Sequence, residues 1–94
     1  MSDDLIRILA KLPTTGEADL TPCTMTLHEC QTYVGGYIEI LRTRTAGVLL
    51  VINEEGTLYE LPYNAQASMA VHPDYYVLDG IRGNALIILE TDDL

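Results

Sequence analysis

Residues 48–52 read VLLVI, five apolar side chains without interruption. A strand with one wet face alternates apolar and polar residues, so an unbroken run this short is read as a strand covered on both faces, at the centre of a sheet. Upstream, residues 37–43 (YIEILRT) are rich in β-formers. They set Ile38 and Ile40 on one face, with Tyr37, Glu39 and Leu41 on the other. Thr45-Ala46-Gly47 turns the chain between these two strands. Downstream, Asn53-Glu54-Glu55-Gly56 is a turn signal, because Asn suits the first turn position and Gly tolerates positive φ. Residues 57–61 are therefore expected to return antiparallel and complete a three-stranded meander. Pro62, which lacks an amide donor, ends that ladder.

Thr26 and Glu29 have the spacing of a capping box, in which each side chain accepts from the other's backbone amide. A helix of about two turns should start here. It places Leu27, Cys30 and Val34 on one face and stops at Gly35 or Gly36. Asn64 can cap a second short helix running through Ala70, before a loop with His72 and Pro73. Residues 84–90 (NALIILE) supply a last strand. Residues 5–12 (LIRILAKL) fit helical spacing as well as a short strand, and are read as a first strand. Residues 13–22 have the Pro, Thr, Gly and acid content of a surface loop. The expected fold is α+β, a small antiparallel sheet of four or five strands with two short helices, in a single domain spanning residues 1–94.

The chain has 94 residues, of which 48% are hydrophobic and 20% charged, enough apolar material to offset ordering entropy without a metal or disulfide staple. Fourteen acids against five bases give a formal charge of −9, which repels phosphate backbones and argues against non-specific nucleic-acid binding. Two cysteines make no secreted disulfide framework. The longest apolar run is too short to cross a bilayer, and the N-terminus lacks a signal-peptide pattern. The expectation is a cytoplasmic protein with no membrane partner.

The ordered strings GGYIE (35–39), NEEG (53–56), LPYNAQA (61–67) and GNALI (83–87) resemble a small-domain family of unknown function found in bacteriophages and bacterial mobile elements. The resemblance covers residues 27–89. It implies a phage-type accessory protein, which in a host cell would act in the cytoplasm, and it brings no established active site. Small phage proteins of this kind often counter host defences by gripping a defence protein or sequestering a nucleotide signal.

No phosphate loop, dinucleotide fingerprint or nucleophile elbow occurs, so no catalytic residue and no cofactor is assigned. Cys23, His28 and Cys30 form C-x4-H-x-C, which offers three ligands without the paired spacing of zinc sites, and no metal site is assigned. Cysteine catalysis would need a thiolate, a base and an oxyanion stabiliser in a recognisable motif, and none is present. The six aromatics are all Tyr, which join a flat ring to a polar handle. Three of the five bases, Arg42, Arg44 and Arg82, fall inside the family-like segment, Arg42 and Arg44 with the same strand parity.

A ligand-binding set of Tyr37, Glu39, Arg42, Arg44, Asn53, Tyr63, Asn64 and Arg82 follows, in which Arg residues pair with phosphate and Tyr37 or Tyr63 stacks on a base. Each member also has a plain structural role: surface arginines beside a turn, tyrosines at the core edge, Glu39 solvated at a sheet edge, Asn53 in a turn, Asn64 at a helix cap. The leading expectation is a non-enzymatic protein that sequesters a small anionic, nucleotide-derived signal. The alternative is an acidic inhibitor of a host protein, which could imitate nucleic acid. An unrecognised hydrolase ranks third. Exposed sheet edges on so short a domain would also permit a homodimer.

Overall fold

A computed structural model describes residues 5–74 and 80–90. The elements run β1 (Ile6–Leu12), β2 (Cys23–Met25), α1 (Leu27–Val34), β3 (Ile38–Arg42), β4 (Val48–Asn53), α2 (Ala65–Ala70) and β5 (Ala85–Leu89). Five strands form one antiparallel sheet in the order β2-β1-β5-β4-β3, with two short helices, so the fold is α+β. Strand β4 lies inside the sheet and is buried on both faces, which is what its unbroken apolar run requires. Leu49 and Val51 pack with Ile8, Leu86, Ile88 and Cys30 of α1 on one side. Leu50 and Ile52 pack with Leu12, Leu41, Ile81 and Ala67 of α2 on the other.

Strand β1 serves both clusters because its register slips. Ile8 stands opposite Ile88 but Ala10 opposite Ile87, so β1 advances two residues while β5 moves one. The bulge swaps the parity of the strand, and Ile8 enters the α1-side core while Leu12 enters the α2-side core. This mixed facing accounts for the ambiguous periodicity of residues 5–12.

Both helix starts are local chemistry. The capping box is complete: Glu29 N donates to Thr26 Oγ1 at 3.1 Å and Thr26 N donates to Glu29 Oε1 at 2.8 Å. Gly35 closes α1 in the left-handed conformation at φ 90°, its amide donating to Gln31 O. Asn64 caps α2, its Oδ1 accepting from Ala67 N at 2.9 Å.

One expectation is corrected. Residues 57–61 form no strand; Tyr59 N donates to Glu55 O, Glu60 N to Thr57 O and Leu61 N to Gly56 O, a run of turns with Glu60 at φ 54°. The second edge of β4 goes to β5 instead, with Leu50 opposite Ile87 and Val51 opposite Leu86. ALIIL in β5 buries apolar side chains on both faces, whereas Leu58 and Tyr59 in the rejected segment stay exposed. More apolar area leaves water when β5 takes that place. Strand β2, three residues on β1 just after the loop at 13–22, adds an element for which sequence reading held no expectation. Tyr75 and Tyr76 lie outside the described residues.

Candidate functional site

The four strings that carry the family resemblance meet in two pairs. GGYIE and NEEG join where Glu54 N donates to Tyr37 O at 2.9 Å, beside Asn53, which is buried at the end of β4, donates from Nδ2 to Val34 O at 3.1 Å and accepts at Oδ1 from Glu55 N at 2.7 Å. Gly36 passes so close that a Cβ there would lie 3.1 Å from Asn53 Nδ2. LPYNAQA and GNALI join at Asn64, which is fully buried and donates from Nδ2 to Gly83 O at 2.9 Å and to Leu12 O at 2.8 Å. Each asparagine thus joins a nearby turn or helix start to a distant element through backbone groups, Asn53 linking Glu55 to Val34 and Asn64 linking Ala67 to Leu12 and Gly83. Each secures carbonyls or amides that would otherwise be buried without a partner.

The remaining candidates, Tyr63 excepted, divide among three clefts. Arg42 and Arg44 line a cleft of about 280 Å³ at the turn end of the β3–β4 hairpin, together with His72, Glu90 and the turn residues Thr45, Ala46 and Gly47. The turn is organised by Thr43, whose hydroxyl contacts Thr45 O at 3.0 Å and Val48 O at 2.8 Å and accepts from Thr45 N at 3.1 Å. The chain leaving α2 is laced to this end: Arg44 N donates to Ala70 O, His72 N to Arg42 O, and Arg44 Nε to Met69 O at 3.0 Å. Arg42 Nη2 meets Asp74 Oδ2 at 3.3 Å, an ion pair with both side chains more than half exposed at 57% and 68%. His72 Nδ1 accepts from Asp74 N at 3.0 Å.

Arg82 lies elsewhere. It lines a cleft of about 220 Å³ with Glu39, Leu41, Glu54 and Thr57, and its Nη1 donates to Leu61 O at 2.9 Å, tying the 56–61 loop to the chain before β5. Tyr63 pairs with Arg82 in an isolated antiparallel bridge and lines none of these three clefts.

Tyr37 belongs to the third and widest cleft, about 550 Å³, at the opposite end of the hairpin from Arg42 and Arg44. Tyr37, Tyr59, Gly35, Gly36, Gln31 and Glu55 are among the residues that line it. Sequence reading singled out Tyr37 but not Tyr59 or Glu55. Treating 57–61 as a strand hid that this loop folds back over the end of α1, and no local pattern signals that approach.

Cys30 is buried in the α1 face, and burial, followed by the charge of Glu29 and by Cys23, pushes its thiol pKa up. That disfavours the thiolate which nucleophilic or metal chemistry requires. Among the described residues no group of three or more His, Cys, Asp or Glu side chains converges to hold a metal, and no helix is long and apolar enough to cross a membrane.

The chain belongs to the DUF3846 family, described as a domain of unknown function, whose match spans residues 6–93. That span takes in β1, ahead of the segment 27–89 on which the sequence resemblance rests. No curated protein and no solved structure matches it.

Proposed function

Starting from that family membership, we propose that this domain is a non-enzymatic, phage-type accessory protein that binds and sequesters a small anionic, nucleotide-derived signal in the host cytoplasm. The observation that supports it is the pairing of Arg42 and Arg44 on one cleft of a protein whose formal charge is −9. Two guanidinium groups can hold a phosphate through charge-assisted hydrogen bonds even where the overall field is unfavourable, because the local potential governs at contact distance. Asp74 faces Arg42 across water-exposed surface, and such pairs contribute only about 0–1 kcal/mol. A phosphate with two anionic oxygens can displace it. The phage setting rests on the four sequence strings, and the anti-defence role on that setting.

The test is native mass spectrometry of the purified chain against a panel of linear and cyclic nucleotides, followed by release of the ligand on denaturation. One nucleotide class should bind, and Arg44→Ala should weaken it about tenfold, the loss expected for a charge-assisted hydrogen bond. Absence of binding across the panel, or full affinity in both Arg42→Ala and Arg44→Ala, would overturn the reading.

A second reading, an acidic inhibitor occupying a basic site on a host protein, is favoured by a different observation. The Tyr37–Tyr59 cleft carries a carboxylate and neither Lys nor Arg. Capture of a stoichiometric host protein from lysate at low salt, lost at high salt, is the expected result; an empty capture at low salt counts against it.

A further inference from the structure

The Tyr37–Tyr59 cleft has the chemistry of a cation site. Tyr37 and Tyr59 are 70% and 64% exposed and both line the same cleft, so neither ring is used up in packing. Glu55 also lines it and forms no ion pair among the described residues. A second feature points the same way independently. Gln31 and Thr32 in the last turn of α1 and the two glycines after it also line the cleft, so the negative end of the helix dipole lies beside it. That last turn contains no basic residue to offset the helix dipole. The backbone segments lining the cleft are preset: Asn53 ties the end of α1 to the start of the 54–61 loop, and Gly35 N and Gly36 N both donate to Gln31 O. A ligand would not have to order them.

From this arrangement we infer that the cleft receives a Lys or Arg side chain of a partner protein, its cationic head against the rings of Tyr37 and Tyr59 and its charge answered by Glu55 and the α1 C-terminus. Cation–π contact requires ring faces and tolerates loss of the hydroxyl, while the carboxylate adds an attraction that salt screens. Neighbouring Glu54 and Glu60 extend the acidic surround, which selects against phosphate and for basic segments. The inference rests on the second reading above, that a protein is the partner, and names the group it would engage.

The experiment is a ¹H–¹⁵N NMR titration of the full chain with the capped peptide acetyl-Gly-Arg-Arg-Gly-amide, beside acetyl-Gly-Glu-Glu-Gly-amide and AMP. Saturable shifts are expected at the amides of Gly35, Gly36, Glu55 and Tyr59 with the arginine peptide alone. Tyr59→Leu and Glu55→Gln should each weaken binding about two- to fivefold, Tyr37→Phe should keep it, and Arg44→Ala should leave it unchanged. Tyr59 is exposed, so its replacement leaves the core intact and the variant's spectrum verifies the fold. Absence of shifts at the cleft overturns the inference, as does AMP shifting the same amides, which would reassign the tyrosines to base stacking. Shifts scattered over the acidic surface and unaltered in Tyr59→Leu overturn it too, while leaving the acidic-inhibitor reading in place.

Discussion

At the turn end of the β3–β4 hairpin two arginines line a cleft built from long, exposed side chains and one hydroxyl-organised turn. At the open end, about 15–20 Å away for strands of this length, two tyrosines and a glutamate line a cleft beside which a buried asparagine joins the end of α1 to the 54–61 loop. The chemistry is opposite in sign and the construction differs in kind. One end can change its charge with little consequence for the fold, because its ionic groups sit in water. The other end owes its shape to a buried polar group, so there recognition and stability are coupled.

That contrast is sharpest in the expected mutant series. Asn53→Ala should have the largest effect, about 2–3 kcal/mol in urea unfolding, because Val34 O and Glu55 N lose a shared partner in a buried site. In NMR spectra it should displace the Gly35, Gly36 and Tyr59 amides and leave Thr45 to Gly47 in place. Equal disturbance at both ends would show that the two clefts are not built independently. Thr43→Val should cost about 1 kcal/mol, since one hydroxyl serves the turn, and should shift the Arg44 region only.

Gly36→Ala should cost a similar or smaller amount, about 0.5–1 kcal/mol, as a Cβ 3.1 Å from Asn53 Nδ2 forces a slight retreat of that side chain. Arginine-peptide binding falling along with stability would tie recognition at this end to the Asn53 contact. The smallest effect belongs to Asp74→Asn, within about 0.5 kcal/mol by thermal unfolding, because its pairing with Arg42 is exposed. The same substitution should strengthen anion binding at the arginine cleft by removing the competing carboxylate. A loss of more than about 1 kcal/mol would show that the turn end is held together by charge after all.

Much of the architecture was legible along the chain. Thr26 and Glu29 announce α1, Asn64 announces α2, and VLLVI announces a strand covered on both faces, and each appears as read. Residues 57–61 were not legible, since TLYEL has a respectable β composition and follows a good turn signal. Its assignment depended on a competitor beginning more than two dozen residues later, ALIIL. The site residues divide along the same line. Tyr37, Arg42 and Arg44 stand out by type and spacing, yet nothing local tells that Arg82 turns to Leu61 O instead of joining them. Nor does any local pattern show Tyr59 coming to stand with Tyr37.

Capping, glycine stops and apolar runs are interactions among residues a few positions apart, so the residues alone specify them whatever the rest of the chain does. The choice of β5 over 57–61 as neighbour of β4, the bulge that lets β1 feed two cores, and the sorting of charges to opposite ends of one hairpin depend on distant segments competing for the same buried surface. Such competition is settled by total apolar area removed from water and by which buried polar groups find partners, quantities that exist only once the chain has closed on itself.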